Sequence, residues 1–294
     1  RSNGVTLPIM VMAPAIEDFD RLIENRLEPE IFSLRILKKF IEIAKRQQVV
    51  DYPVHLKVDT GMHRLGFLAD ELEQVIKLLK STKAIRIKSV FSHLAASDEA
   101  EHDEFSLEQI DMYKSMSDRL TSELGYTHTR HILNSAGIER FPESHFEMVR
   151  LGIGLHGISA VGGALQAVSS LKTHIAQIKT IPIDDTVGYS RRGKLKRESK
   201  IAILPVGYAD GLDRKLGNGN AYVTISGKKA PYIGSICMDL SMVDITEINC
   251  DEGDEVVIFG TDPNIQQLAE AIETIPYEVL TNVSARVKRI YLKD

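Results

Sequence analysis

Residues 55–67, HLKVDTGMHRLGF, combine a strand-like apolar run with several charged side chains. Lys57 and Asp59 lie in an apolar, strand-like run, and Arg64 follows shortly after it. In a parallel α/β barrel, functional side chains lie at the carboxyl ends of the strands and in the loops that follow them. The stretch therefore predicts a barrel strand that ends in a functional site.

Strand-like and helix-like segments alternate on both sides of this stretch. The expected strands are near-continuous apolar runs at residues 7–12, 29–34, 54–59, 85–94, 130–136 and 147–157, and the expected helices lie at 15–25, 34–48, 69–81 and 103–124. Strands of this kind are typical of parallel sheets that are buried on both faces. A closed barrel has about eight such units, so the pattern predicts a partial (β/α)8, TIM-type barrel without its first two units.

Short strands separated by turn residues replace this pattern after about residue 165. Gly-rich bends at 218–220 (NGN) and 226–229 (SGKK) divide these strands. The change predicts an all-β second domain. We therefore expect the fold class α/β plus all-β, with a partial barrel at residues 1–165 and a C-terminal β domain at 166–294.

Composition narrows the classes of partner. The 294 residues are 43% apolar and 26% charged, and the net charge of -5 gives no reason to expect nucleic acid or an anionic membrane surface. No apolar run approaches the roughly 18 residues of a membrane span. Cys237 and Cys250 form no disulfide framework, which favours the cytoplasm, and no zinc-type cluster of ligands suggests a metal.

Polar residues follow four consecutive predicted strands. They are Lys57, Asp59 and Arg64 on the first of these strands, His93 on the next, Asn134 and Ser135 on the third, and Arg150 with Gly152 on the last. Because the carboxyl ends of parallel strands meet at one face of a barrel, we expect these groups to form one site.

Structural interpretations of the same residues stay open. Lys57 could pair with Asp59, and His93 could be a hydrogen-bonded core histidine. Asn134 and Ser135 could cap the helix that follows them, since both residue types are preferred caps.

Arg150 and the glycines after it are harder to explain by structure alone. A guanidinium stays charged, so burying Arg150 between Val149 and Leu151 requires a partner. The hydroxyl of Ser135 and the backbone N–H groups of Gly152 and Ile153 could together cradle a phosphate.

Seven motifs carry a resemblance to a known family. VDTGMHRLGF, SHLAASDE, NSAG, MVRLGIGLHG, VGY, PVGYADG and ICMD stand in the order in which alanine racemases, the fold-type III pyridoxal-phosphate enzymes of cell-wall synthesis, carry them. The resemblance implies a two-base interconversion of L- and D-alanine, which supplies D-alanine for peptidoglycan. It also implies a homodimer in which the β domain contributes to the site of the partner subunit.

The resemblance assigns roles to the barrel residues. Arg150 is expected to hydrogen-bond the pyridine nitrogen of pyridoxal 5'-phosphate, with His93 orienting it. Ser135, Gly152 and Ile153 are expected to bind the phosphate, with Asn134 beside them.

The opening stretch also receives roles from the resemblance. Arg64 is expected to contact both the phenolic oxygen of the cofactor and the carboxylate of the substrate. Lys57 corresponds to a lysine that many members carry in carbamylated form, which would hold Arg64 in place. An ordinary lysine balanced by chloride or by Asp59 is the alternative.

In the second domain the resemblance makes Tyr189 the second acid/base, reaching the site from the partner subunit. Racemisation needs a base on each face of the reacting carbon. Met238 and Asp239 are expected to bind the substrate carboxylate and line the channel to the site, and Tyr208 is expected to line the same channel.

The sequence departs from the family pattern in two places, and these affect whether these residues would be active alone. The lysine that holds the cofactor and a phosphate-binding tyrosine belong to a first-strand motif that these residues do not contain, and Ala285 stands where some members have a tyrosine. We therefore expect a fragment of a racemase that is inactive alone. The alternatives are the racemase part of a larger multifunctional cell-wall enzyme and a broad-specificity fold-type III racemase.

Overall fold

Two units make up the chain, Arg1–Leu165 and Gln166–Asp294. The computed structural model describes residues 1–163 and 165–292. Parallel strands alternate with helices in the first unit, and antiparallel strands dominate the second. This confirms the predicted fold class, α/β plus all-β, with a partial barrel followed by a β domain.

The first unit contains a five-stranded parallel sheet in the order β1-β2-β3-β4-β5. Its strands are β1 (Met10–Val11), β2 (Glu28–Ile31), β3 (Tyr52–Lys57), β4 (Ile85–Phe91) and β5 (Thr129–His131). Because neighbours in the sheet are also neighbours in sequence, the carboxyl end of each strand lies beside that of the next.

Amphipathic helices connect these strands. They are α1 (Phe19–Glu24), α2 (Leu34–Arg46), α3 (Leu72–Lys80), α4 (Asp103–Leu124) and α5 (Ser135–Arg140). Their apolar faces bury Phe19, Phe40, Leu72 and Tyr113 against Leu56 and other strand residues. Burial of this apolar surface is the main force that fixes the sheet and hence the strand ends.

Two expected strands differ from the structure. β1 is only two residues long, and Leu7 before it is 74% exposed, so the run at 7–12 is not a buried strand. Residues 147–157 form no strand among the described residues, although Met148 N and Arg150 N donate to the carbonyls of Arg130 and Leu133. The chain then turns into a 3-10 helix, Ile153–His156, because neighbouring N–H groups bond to a serine hydroxyl rather than to a strand.

The second unit is built from short antiparallel strands. They are β6 (Leu171–His174), β7 (Gln177–Ile181), β8 (Thr186–Val187), β9 (Gly193–Lys194), β10 (Ser199–Leu204), β11 (Tyr222–Ile225), β12 (Lys228–Pro231), β13 (Ser241–Asp244) and β14 (Glu255–Phe259). They pair as β13-β10-β7, β12-β11-β14-β6 and β8-β9. Two helices, α6 (Ile265–Ala271) and α7 (Pro276–Asn282), complete the unit.

The predicted bend at SGKK is the turn of the β11–β12 hairpin. Ser226 and Gly227 both have positive φ, 49° and 75°, as a two-residue hairpin turn of the favoured twist requires. The side chains of Val223 and Ile225 enter the core of the second unit beside Val256. No helix in the described part of the chain is long and apolar enough to cross a membrane.

Candidate functional site

Arg150 lies at the centre of a dense set of acceptors at the carboxyl ends of β4 and β5. Its Nη1 donates to His131 Nδ1 (2.7 Å) and to the His131 carbonyl (3.1 Å). Its Nη2 donates to the carbonyls of Ser92 (2.7 Å) and Ile132 (3.0 Å), and lies 3.3 Å from His93 Nδ1. These contacts fix the plane of the guanidinium.

The Arg150 guanidinium has no carboxylate partner within the described residues. Among the described residues no Asp or Glu forms an ion pair with it, and its ring contact is with Phe91, 5.4 Å away. Burial lowers the pKa of Arg150 to about 10, which still leaves it a cation at neutral pH. Since Nη1 and Nη2 are occupied, Nε–H is the donor of this group that has no acceptor within the described residues.

Two histidines beside Arg150 are neutral. Burial, followed by the charge of Arg150, lowers the pKa of His93 to about 4 and that of His131 to about 2. His131 is fully buried and its ring stacks on Phe91 at 5.0 Å. His131 is not among the predicted site residues. Its position inside the apolar run RHILNSA, three residues before Asn134, could have indicated a buried histidine near the site.

Ser135 ties the start of α5 to the glycine-rich segment. Its Oγ accepts hydrogen bonds from the N–H groups of Gly152 (2.9 Å) and Gly154 (3.1 Å). A Cβ on Gly154 would lie 2.9 Å from Leu151 Cδ1, so a side chain there would crowd the loop. Both N–H groups of this turn, the Ser135 turn, are thus paired within the fold, and the Ser135 O–H is the donor of this turn that can bind an anion.

Asn134 has the structural role that sequence analysis left open. Its Oδ1 caps α5 by accepting from Gly137 N (2.9 Å), and it also accepts from Ser97 Oγ (2.8 Å). The side chain is therefore already used within the fold, and it holds the helix that carries Ser135.

Lys57 is buried, with only 4% of its surface exposed. Its ammonium makes no hydrogen bond or ion pair within residues 1–163 and 165–292, and lies 4.6 Å from the ring centre of Phe91. Burial lowers its pKa to about 8, opposed by Glu30 and reinforced by Arg150 and Arg64.

Asp59 does not pair with Lys57. Its Oδ1 accepts from the N–H groups of Gly61 (2.9 Å) and His63 (3.0 Å), and its Oδ2 lies 3.5 Å from His63 Nδ1. The carboxylate therefore shapes the turn that follows β3. The direct Lys57–Asp59 pair that sequence analysis left open is absent from the described residues.

Arg64 lies exposed in the loop after β3. Its charge contributes to the lowered pKa of both Lys57 and His93. In the first unit, Arg150 contacts His93, both Lys57 and Arg150 lie over the ring of Phe91, and Gly152 bonds to Ser135.

In the second unit, Tyr208 and the ICMD segment are neighbours. Tyr208 N donates to the Cys237 carbonyl (3.0 Å), and Ala209 N donates to the Met238 carbonyl (2.9 Å). Tyr208 and Met238 are 43% and 54% exposed, so both side chains are available for contact.

Arg286 bridges the segment that carries Tyr208 and the ICMD segment. Its Nε donates to Asp210 Oδ1 (2.8 Å) and its Nη2 donates to Asp239 Oδ1 (2.5 Å). Asp239 is therefore already paired. Sequence analysis did not single out Arg286, since it lies 76 residues from Asp210.

Tyr189 stands on a tight turn and is 70% exposed. Gly188 before it has φ 78°, and Ser190 after it has φ 56°. A Cβ on Gly188 would lie 3.5 Å from Ser235 N, which shows how closely this turn approaches the chain that leads to Cys237.

Comparison with known proteins settles the family. The model of the alanine racemase N-terminal domain matches residues 1–160, and that of the alanine racemase C-terminal domain matches residues 168–291. The chain belongs to the alanine racemase family. The alanine racemase of Clostridium novyi is 40% identical over 310 aligned positions, which cover 100% of this chain and 79% of that protein.

Solved alanine racemases have the same fold. The enzyme of a D-cycloserine-producing Streptomyces lavendulae superposes with a TM-score of 0.93 at 28% identity, covering 100% of this chain and 80% of that one. The Bartonella henselae alanine racemase with covalently bound pyridoxal phosphate superposes with a TM-score of 0.87 at 29% identity, covering 97% and 79%. The family resemblance, the isomerase class and the pyridoxal-phosphate cofactor are thereby confirmed.

The alternatives find no support in these comparisons. The relatives and solved structures named above are alanine racemases that match across the whole of this chain, and neither a larger multifunctional enzyme nor a broad-specificity racemase is among them. The expectation of an inactive fragment is likewise not borne out.

The residues of the first unit fit pyridoxal phosphate. The cofactor presents a phosphate and a ring nitrogen, which call for an anion-binding turn and a hydrogen-bond donor. The O–H of Ser135, held in place by the N–H groups of Gly152 and Gly154, supplies the first, and the Nε–H of Arg150 supplies the second.

Proposed function

We propose that this alanine racemase family member interconverts L- and D-alanine, with pyridoxal phosphate held at the strand ends of the first unit. The observation that carries the proposal is the fixed guanidinium of Arg150, which is held by His131 and backbone carbonyls and whose Nε–H has no acceptor within the described residues.

Pyridoxal phosphate, when bound, withdraws electrons from the Cα of the amino acid attached to it and makes the Cα proton labile. Arg150 determines how strongly this occurs. A permanent cation at the ring nitrogen would disfavour protonation of that nitrogen, and Arg150 would thereby favour return of a proton to Cα over transamination. His93 and His131 are neutral, so neither adds a second positive charge beside the guanidinium of Arg150.

The phosphate is assigned to Ser135, Gly152 and Ile153. The Oγ of Ser135 already accepts two backbone N–H groups, which leaves its own O–H free to donate to a phosphate oxygen. Asn134 acts indirectly, since it caps α5 and so positions Ser135.

Arg64 is assigned to the substrate carboxylate and the phenolic oxygen of the cofactor, because its guanidinium is exposed after the end of β3 and its charge acts on the pKa of Lys57 and His93. Lys57 is assigned as a carbamylated lysine. Its lowered pKa of about 8 provides the neutral amine that reacts with CO2, and the resulting anion would offset the charges of Arg64 and Arg150.

Tyr189 is assigned as the second acid/base, and Tyr208, Met238 and Asp239 as residues of the substrate channel and carboxylate site. The exposure of Tyr189 on a rigid turn supports delivery to another subunit. A single base would return the proton to the face from which it came, so a second one is needed for racemisation.

A homodimer with shared sites follows from this assignment. Tyr189, Tyr208, Met238 and Leu240 expose large apolar side chains on the second unit, as a surface that meets a partner would. We also infer a cytoplasmic location, because Cys237 and Cys250 are both free thiols.

Formation of D-alanine from L-alanine by the gene product, with pyridoxal phosphate supplied, tests the proposal. Arg150→Met and Tyr189→Phe variants should each lose activity, and a mixture of the two should regain part of it through hybrid dimers with one intact site. Activity that persists in Arg150→Met would contradict the assignment. Failure of the mixture to regain activity would contradict the shared site.

A further inference from the structure

A chain of hydrogen bonds leads from Arg150 into the interior of the sheet. His131 Nε2 lies 2.9 Å from Ser89 Oγ, and Ser89 Oγ lies 2.6 Å from His55 Nδ1. His55 Nε2 lies 2.9 Å from Glu28 Oε2. All four residues beyond Arg150 are buried, with 0–8% of their surface exposed, so little solvent competes for these bonds.

The register of the sheet creates the chain. His55 on β3 stands opposite Ser89 on β4, and Phe91 on β4 stands opposite His131 on β5. Barrel interiors are usually filled by Val, Ile and Leu. A polar residue buried here lowers stability unless each of its donors and acceptors has a hydrogen-bond partner.

The proton positions follow from the two ends of the chain. Arg150 can only donate, so His131 Nδ1 accepts and the imidazole proton lies on Nε2, from which it is donated to Ser89. At the far end, Lys88 Nζ donates to both Glu28 oxygens, Oε1 (2.8 Å) and Oε2 (2.9 Å), so the Glu28 carboxyl group acts as the acceptor. His55 therefore donates from Nε2, and its Nδ1 accepts from the Ser89 hydroxyl.

All four bonds then point the same way, from Arg150 through His131, Ser89 and His55 to Glu28. Bonds aligned in this manner polarise one another in a low-dielectric interior. Donation by His131 Nε2–H raises the electron density at Nδ1, which makes Nδ1 a stronger acceptor for the guanidinium.

We propose that His55 and Ser89 are positioning residues, which hold the guanidinium of Arg150 in its working orientation through His131. The hydrogen-bond chain stands on the geometry alone. Its consequence for the reaction rests on the proposed function, in which Arg150 faces the ring nitrogen of the cofactor.

Nitrogen NMR of the full chain, with histidine labelled by 15N, tests the chain directly. His55 and His131 are assigned by the loss of their signals in His55→Gln and His131→Gln. We expect both rings to be neutral near pH 7, each with its proton on Nε2. A proton on Nδ1 of either ring, or a charged His131, would overturn the directed chain.

Ser89→Ala tests the effect on Arg150, with Ser117→Ala as the matched control. Ser117 is also fully buried and its Oγ lies 2.9 Å from a histidine, His128, outside the chain. Ser89→Ala should shift the 15N signals of His131, and Ser117→Ala should leave them unchanged.

The holoenzyme supplies a second readout. Loss of one bond of this type, about 1 kcal/mol, predicts a kcat about 3- to 10-fold lower in Ser89→Ala and more pyruvate per alanine racemised, with KM little changed. Ser89→Thr, which keeps the hydroxyl, should recover both values. A Ser89→Ala variant that shifts the 15N signals of His131 and yet gives the same kcat and the same pyruvate per alanine racemised as Ser117→Ala would show that Ser89 does not position Arg150 for the reaction. If Arg150→Met also leaves them unchanged, the proposed function itself fails.

Discussion

Arg150 Nη1 lies 2.7 Å from His131 Nδ1, and this contact decides the state of the imidazole. A guanidinium cannot accept a hydrogen bond, so Nδ1 must carry a lone pair and His131 must be neutral. The same contact holds the one cation that we assign to the ring nitrogen of the cofactor. The chemistry at the strand ends therefore depends on a histidine that is fully buried beneath them.

Replacement of Ser135 tests the phosphate turn. Ser135→Ala removes the acceptor of Gly152 N and Gly154 N and the hydroxyl donor to the phosphate. Hydrogen bonds to charged groups contribute about 1.5–3 kcal/mol each, so we expect pyridoxal phosphate to bind about 10- to 100-fold more weakly. Fluorescence titration with the cofactor measures this, and Ser117→Ala is the control. Equal affinities of the two variants would exclude Ser135 from the phosphate site.

Replacement of Tyr189 separates cofactor binding from proton transfer. Tyr189→Phe should lower kcat about 10²- to 10⁴-fold, the usual contribution of a general acid/base, and leave cofactor affinity unchanged. In deuterated water, the Tyr189→Phe gene product should still exchange the Cα hydrogen of one alanine enantiomer, because only the face of Cα that Tyr189 serves loses its base. Tyr291→Phe, at an 87% exposed tyrosine, is the control. Exchange lost for both enantiomers would argue against a two-base mechanism with Tyr189.

Carbamylation of Lys57 is open to direct observation. With 13C-bicarbonate, we expect a single carbamate resonance in the carbon spectrum, because burial lowers the pKa of Lys57 to about 8 and so supplies the neutral amine. The signal should vanish in Lys57→Arg. A spectrum without such a resonance, or one that survives in Lys57→Arg, would favour an ordinary lysine.

Stability should fall in mild acid because of the buried histidines. The pKa of His131 is lowered to about 2, whereas the unfolded chain titrates near pH 6.5. The unfolded state therefore binds more protons below about pH 6.5, and the stability contributed by neutral His131 is lost as the pH falls from there toward 2.

Between pH 7 and 5 this one group should lower the free energy of unfolding by ~2 kcal/mol. Urea unfolding at several pH values measures the slope. His131→Gln should show a shallower slope than the unchanged protein, and His174→Gln, at an exposed histidine, should not. Identical slopes for all three proteins would mean that His131 is not held neutral.

The strand ends could be predicted from the sequence because apolar periodicity places them. Lys57, His93 and Ser135 lie at or shortly after the ends of β3, β4 and β5, whereas Arg150 lies in a segment that the sequence predicts as a strand and that is not one. The chain from His131 to Glu28 could not be predicted, because it depends on the register between β3, β4 and β5. Periodicity finds which residues end a strand, whereas register decides which side chains meet across a sheet.

The pairing of Arg286 shows the same limit in the second unit. Its two carboxylate partners lie 76 and 47 residues away in sequence, and no local pattern connects them. Motifs found the residues on each segment, Tyr208 and Asp239, but not the arginine that holds the segments together.

We propose that Arg150 and the Ser135 turn hold pyridoxal phosphate in the first unit. The most direct test is titration of the purified chain with pyridoxal phosphate, followed by absorbance, in parallel with Arg150→Met and Ser117→Ala. The account predicts saturable binding that Ser117→Ala retains and Arg150→Met loses. Binding that is absent, or that Arg150→Met retains in full, would contradict it.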